Sequence, residues 1–378
     1  MAPTLLAGTE TSIQNTDNNV RGMDAAVYEL EPDVGPLTVL MNAMGSTPTL
    51  APKAEWLEDE SMPRTTTLSA SAAASATAWG PSADIFRVGD VVRFPGLTYG
   101  ILVTTTAAGA ITGTVLGQAS ANSAQTGQEM YLVSNANAEL ATLREIKFTQ
   151  LNTAYNYCQI IRTPFGLSTT EMGQQHYGGD ERARLSRHYG IDHAYSIENT
   201  HFFGLRSISS VTRTAGGLQS FISTNVTNDT GGLTEGDWQA FLKTGFRFGS
   251  PRKTAFMSPT CWSAVEAFAR SKALVSTDPS KTVFGVSLKQ YVSGQGVVDM
   301  VMHRNWNDSA TYGGYCFLVD MDAVKERPLQ NVGKTQLLRD RQAPDYDGVK
   351  DEYRTETCIQ VIHERRHALL TGVTAPTV

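Results

Sequence analysis

The chain has 378 residues and a mass of 40.9 kDa, enough to bury a large core or to build two domains. Apolar residues make up 41%, as in a folded globular protein, and the formal charge of -6 excludes a strongly basic protein built to grip nucleic acid. Charged residues are only 18%, and Gly, Ala, Ser and Thr fill the difference, which predicts much β-structure and long extended segments.

Cys158, Cys261, Cys316 and Cys358 are far apart and form no C-x-x-C pair, so they read as free thiols of a reducing cytosol. The amino terminus has neither the basic start nor the apolar core of a signal peptide. No stretch approaches the ~18 apolar residues of a membrane span, so no membrane partner is expected.

Up to about residue 50 the chain is polar and then broken by Pro32, Pro36, Pro48 and Pro52. This predicts an extended arm with one short helix at Leu37 to Met41. An Ala/Ser/Thr-rich run from Thr65 to Thr77 has little to bury and reads as a mobile loop or a strand lying on a neighbour. From 84 to about 140 a β-rich block follows. Phe86, Val88, Val92 and Phe94 share one parity, residues 101–116 read as a hairpin, and Met130 to Val133 supplies a further strand.

Asp180 is a good N-cap, and the run to Phe203 before Gly204 predicts a helix of ~35 Å, with Gly190 as an interior blemish. Thr234 caps a helix whose Trp238, Phe241, Leu242 and Gly245 fall on one stripe. Ser258-Pro259 opens another, with Trp262, Val265 and Ala269 as its buried face. Strands are expected at Val297 to Met302, Tyr315 to Val319 and Glu356 to Ile362, giving an α+β order without strict βαβ alternation.

Three segments imitate catalytic motifs. His363-Glu364-Arg365-Arg366-His367 matches H-E-x-x-H, in which two histidines one helical turn apart hold zinc and the glutamate activates water. The β-branched run before it predicts a strand instead, no His, Asp, Glu or Cys follows His367, and two arginines would crowd a cation. Gly333-Lys334-Thr335 ends like a phosphate-binding loop, but Pro328 stands where the leading glycine should be. Gly294-Gln295-Gly296 lacks a third glycine and precedes a strand, so it reads as a turn. Arg182, Arg184 and Arg187 read as a salt-bridged helix face. No catalytic, cofactor-binding or metal-binding residues are assigned, and no cofactor or enzymatic activity is expected.

Taken in order, the segments resemble the major capsid proteins of tailed bacteriophages, which share the HK97-like fold. The proline-bounded Leu37 to Met44 segment followed by Glu55-Trp56 and Asp59 is similar to the entry into that family's extended loop. Asn156 to Ile160 with Ser168-Thr169-Thr170 resembles the return strand, and the helix from Asp180-Glu181 to Gly204 the long spine helix. Arg213 to Ile222 resembles the link into the central domain, and Asp351 to Glu356 with the strand through His367 to Gly372 the closing strand.

The resemblance implies an α+β subunit with an arm (1–50), an extended loop carrying the 84–140 insertion (51–167), a spine region (168–210) and a central and peripheral domain (211–378). It implies self-assembly through hexamers and pentamers into an icosahedral head around double-stranded DNA, which the subunit touches weakly. Portal, scaffolding and decoration proteins are the further partners implied, and the location is the virion, assembled in the bacterial cytoplasm. The polar arm has no heptad pattern, so scaffolding is expected from a separate protein, without removal of a large amino-terminal piece. Rival readings are another virion protein of tail or decoration type, and a zinc hydrolase using His363, Glu364 and His367.

Overall fold

The computed structural model describes residues 35–374, apart from 119, 140, 177–178, 272–274, 277–281, 284–285 and 288. Most of the expected arm, residues 1–34, lies outside the described residues. Two compact units divide the chain, a larger one of residues 1–56 and 155–378 and a smaller one of residues 57–154.

The larger unit is built on a seven-stranded mixed sheet. Its order is Val226–Asn228, Ala368–Thr371, Cys316–Val319, Arg252–Met257, Gly296–Met302, Lys289–Ser293 and Val275–Ser276. Both faces are covered, so the central strands are near-continuous apolar runs whose alternate side chains feed two cores. Cys316 and Leu318 point with Ala255, Met257, Val298 and Met300 into one core, which the helices Glu235–Gly245 and Pro259–Ser271 close. Phe317 and Val319 point with Phe256 and Val301 into the other, beneath the helix Pro36–Met44 and the end of the long helix.

Local signals were sufficient for these helices. Thr234 and Asp237 form a reciprocal capping box, and Trp238, Phe241, Leu242 and Gly245 are all buried as expected. Trp262 and Val265 are buried too, while the side chain of Ala269 lies outside the described residues.

A three-stranded sheet carries the long helix. Gln159–Ser168 and Gly348–Thr357 run antiparallel over ten rungs, from Gln159 opposite Thr357 to Ser168 opposite Gly348, with Gln336–Leu338 on the far edge. The helix Glu181–Phe203 begins at Asp180, whose carboxylate accepts from the N–H groups of Arg182 (3.0 Å) and Ala183 (3.4 Å). Tyr189 stacks on Phe165 at 5.5 Å, and His193 bridges Thr163 and Thr355 at 2.9 and 2.8 Å. The interior Gly190 has a reason: a Cβ there would stand 3.2 Å from the Tyr353 hydroxyl, so the small residue admits the ring.

The smaller unit is a six-stranded antiparallel sheet with its own core. Its order is Thr65–Thr67, Glu129–Asn135, Asp90–Arg93, Gly100–Ala107, Ala110–Leu116 and Ala78–Trp79. Trp79, Phe86, Phe94, Tyr99, Ile101 and Met130 fill its interior. The expected hairpin is present, closing at Ala107 opposite Ala110.

Four expectations need correction. The run from Thr65 to Thr77 is not a bare loop: Thr65–Thr67 is an edge strand paired to Glu129–Asn135, and Ala72 pairs with Ala124, so backbone bonding does what the side chains cannot. Only Asp90–Arg93 of the 86–94 stretch is strand, and Val88 is exposed where the parity rule buried it. The strand expected from Glu356 to Ile362 is split: Gly348–Thr357 and Ile359–Val361 join different sheets. The strand expected through His367 is interrupted by a 3₁₀ turn at Glu364–Arg366 and resumes at Ala368–Thr371.

Candidate functional site

The H-E-x-x-H segment adopts neither the helix that zinc chemistry requires nor the expected strand. His363 has a left-handed backbone (φ 52°) and leads into the 3₁₀ turn, so the two histidines do not share a helical face. Glu364, Arg366 and His367 each have a structural task. The Glu364 carboxylate accepts from the N–H groups of Ser223 (2.8 Å) and Thr224 (3.0 Å) and from both their hydroxyls, tying the turn to the 223–224 corner. Burial alone would raise this carboxyl, but those donors outweigh it and hold it below its usual range.

Arg366 gives its guanidinium to Asp320 at 2.9 and 3.0 Å, and its carbonyl accepts from the buried ammonium of Lys253. That ammonium also donates to the carbonyls of Gly245 (2.7 Å) and Phe248 (2.8 Å), and burial pulls Lys253 down to about 8. His367 is fully buried, and its Nδ1 accepts from the Asp320 N–H at 3.2 Å. Burial, with Lys253 close by, pushes this imidazole down to about 3. Among the described residues no three His, Cys, Asp or Glu side chains are gathered to hold a metal.

The other two imitations are structural as well. Gly333 spends its N–H on the Leu329 carbonyl (2.7 Å) and its carbonyl on the Glu356 N–H (3.2 Å), leaving no amide cradle for a phosphate. Gly294-Gln295 is the turn between Lys289–Ser293 and Gly296–Met302, as read. Arg182 grips Asp351 through two bonds of 2.7 and 2.8 Å and reaches Asp340 at 3.1 Å, while Arg184 pairs with Glu181. The face is ion-paired at both positions, and the first pair joins helix to sheet.

The polar groups that organise the larger unit were not singled out by any motif. Glu198, on the long helix and fully buried, accepts from the N–H groups of Leu37 and Thr38, each at 2.8 Å, and from the Thr38 hydroxyl. It thus caps the helix Pro36–Met44, whose own N-cap, Gly35, has no side chain to offer. His303 lies 3.4 Å from the same carboxylate. Burial works to raise Glu198, but His303, Thr38 and the Leu37 N–H outweigh it and hold the carboxyl below its usual range.

Asn156 acts similarly beside the C-terminal end of the long helix. Its amide donates to the carbonyls of Gly216 (2.9 Å) and Ile359 (2.8 Å) and accepts from the Gly216 N–H (2.8 Å). The following Gly217 is indispensable, since a Cβ would lie 2.8 Å from the Phe202 carbonyl oxygen. A Gly-Gly pair beside a helix terminus hinted at this close approach in the sequence. No local signal pointed to Glu198, because its partners lie some 160 positions away.

The large exposed apolar side chains include two sets that are close in sequence. In the larger unit, the hairpin Ser207–Ser209 and Thr212–Thr214 displays Leu205, Ile208 and Val211, the last 88% exposed. In the smaller unit, Arg144 and Lys147 bind the Asp90 carboxylate and the Phe86 carbonyl, while Leu143, Ile146 and Phe148 stand in solvent. That arrangement is inside-out for a segment meant to be covered only by its own domain.

Residues 7–374 match the family model described as SU10 major capsid protein. No curated protein matches the chain. A capsid asymmetric unit of cyanophage A-1(L) is similar in structure, with a TM-score of 0.57 at 11% identity over 97% of this chain and 100% of that one. The capsid of a native GTA particle gives 0.54 at 9% identity over 97% and 100%, and a structure of Mycobacterium phage Bobi 0.52 at 7% over 96% and 99%. At such identities the likeness speaks for the fold alone, which is the HK97-like α+β fold. With the family match spanning nearly the whole chain, the chain belongs to the SU10 major capsid protein family, a structural protein that forms a capsid shell from many copies of itself.

Proposed function

We propose that the chain builds, through hexamers and pentamers, the icosahedral head that encloses the double-stranded DNA of a tailed phage. It does so without enzymatic activity. Assembly takes place in the bacterial cytoplasm, with portal and scaffolding proteins, and in some shells a decoration protein, as partners. In this reading residues 1–50 are an arm and 51–167 an extended loop, each lying on neighbouring copies. Residues 168–210 are the spine, and 211–378 supply the central and peripheral domain.

The observation that carries the reading is the set of large apolar side chains left in solvent, Leu143, Ile146 and Phe148 in one unit and Leu205, Ile208 and Val211 in the other. A shell subunit meets its neighbours through several different patches, so each patch stays uncovered in the isolated chain. The net charge of -6 suits packaged DNA that is held by confinement and touches the wall weakly. No helix among the described residues is long and apolar enough to cross a membrane.

Electron microscopy and sizing of the expressed chain, with and without a co-expressed scaffolding protein, test the proposal. Capsomers or closed shells are expected, and Val211→Asp and Phe148→Asp should each reduce them while leaving the subunit folded. A chain that stays monomeric across concentration, salt and scaffold would refute it.

A further inference from the structure

Two buried nucleophilic side chains meet at the end of the long ladder in the larger unit. The sulfurs of Cys158 and Cys358 are 3.5 Å apart, both residues are fully buried, and both are free thiols. The last paired rung is Gln159 opposite Thr357. One step further along the same register sets Cys158 against Cys358. Opposed residues of antiparallel strands have Cα atoms about 4.5–5.5 Å apart, inside the roughly 4.4–6.8 Å that a disulfide spans.

The backbone on each side is held. Cys158 donates its N–H to the Pro52 carbonyl at 2.8 Å, and Cys358 exchanges bonds of 2.8 and 3.3 Å with Arg327. Both thiols also reach the same Arg327 carbonyl oxygen at 3.6 Å, so the two side chains converge on one point. The buried apolar cluster they belong to is completed, among the described residues, by the small side chains of Ala54 and Ala215. Bond formation requires the sulfurs to approach by about 1.5 Å, a shift that side-chain rotation can supply.

The chemistry separates this pair from the other two cysteines. The Cys358 thiol donates to Cys158 and holds it below the usual thiol range, against the effect of burial; Arg213 and Arg327 assist and Glu356 opposes. Burial pushes Cys261 up to about 12 and Cys316 well above its ordinary value. Cys158 therefore ionises more readily than Cys261 or Cys316, with its resolving partner already in contact.

We propose that Cys158 and Cys358 form a redox modification site, a dithiol that a small-molecule disulfide converts into an intrachain cross-strand disulfide. When a local opening exposes the pair, the Cys158 thiolate attacks one sulfur of the small disulfide and expels the first small thiolate. Cys358 then loses its proton and attacks the Cys158 sulfur of the mixed disulfide, expelling the second. The protein loses two electrons and two protons, and the small disulfide leaves as two thiols. The product ties the Gln159–Ser168 strand to Gly348–Thr357 at the end where the ladder divides.

The test uses the full-length chain, checked as folded by circular dichroism and incubated with excess oxidised glutathione. It is then acid-quenched, unfolded in an alkylating reagent and peptide-mapped by mass spectrometry. The expected result is one linked pair of peptides carrying Cys158 and Cys358, with Cys261 and Cys316 alkylated. Cys158→Ala and Cys358→Ala should each abolish the linked pair, and Cys261→Ala should keep it; alanine already neighbours both thiols, so folding should survive. Alkylation of all four cysteines, a different linkage, or a glutathione adduct on Cys158 that persists would each overturn the proposal and leave two thiols that merely fill space. Particle sizing on the same samples reads the shell-forming role separately.

Discussion

Replacing Glu198 with alanine removes the carboxylate that caps the helix Pro36–Met44 from within the long helix. Two backbone N–H groups at 2.8 Å and the Thr38 hydroxyl lose their acceptor, and Glu198 has no exposed surface from which bulk solvent could replace it. Each hydrogen bond to a charged acceptor contributes roughly 1.5–3 kcal/mol. Breaking a buried charged arrangement by removing one partner costs about 3–5 kcal/mol. The expected loss for Glu198→Ala is therefore about 3–5 kcal/mol. Glu198→Gln, which keeps the shape but turns an amide toward donors, should lose roughly 2 kcal/mol.

Urea unfolding followed by tryptophan fluorescence gives the free energies, and hydrogen exchange gives the location, with protection lost first at Leu37 and Thr38. The pH dependence follows from the depressed folded-state value. The stability that Glu198 contributes is complete above its ordinary 4.5 and disappears as pH falls through the folded value. The variant should accordingly have a flatter acid limb. A loss below about 1 kcal/mol for Glu198→Ala, or wild-type exchange at Leu37 and Thr38, would refute the capping role.

Leu185→Pro, inside the Glu181–Phe203 helix, should cost about 3 kcal/mol or more and yield unassembled or aggregated product on sizing; normal shells would contradict a continuous helix. Trp79→Ala should cost about 3–5 kcal/mol, with exchange protection lost in residues 57–154 and retained at Phe256 and Phe317, because that core is separate. His367, lowered from 6.5 to about 3, binds a proton more readily unfolded than folded, so stability should fall as pH drops from about 6.5 toward 3. His367→Phe should flatten that slope in acid titration of unfolding. Glu364→Gln should loosen the 223–224 corner by about 1–3 kcal/mol, and zinc or a chelator should leave its melting curve unchanged.

What the sequence determined by itself was whatever a few neighbouring residues decide. Asp180 and Gly204 bound one helix, Thr234 with Asp237 opens another, and Ser258-Pro259 a third, because caps act over a single turn. The hairpin across 100–116 is equally local: its turn sets the register from Ala107 back to Thr105, and an irregularity between Val103 and Thr105 shifts it by one beyond. The order of such segments was enough to suggest the shell-protein resemblance, since order is a property of the chain.

Tertiary structure decided everything that depends on partners far along the chain. The run from Thr65 to Thr77 is poor in apolar residues, and it is held by backbone bonds to strands some sixty positions later. The strand expected from Glu356 to Ile362 divides at Cys358, because its two halves face different partners, Gln159–Ser168 and Val324–Glu326. H-E-x-x-H becomes a 3₁₀ turn because Asp320, Lys253 and the 223–224 corner bind its residues one by one. Glu198 against Thr38, and Cys158 against Cys358, join residues 160 and 200 positions apart. A buried charge or a thiol pair is specified by the groups that replace its water, and those groups become its neighbours only once the chain has folded.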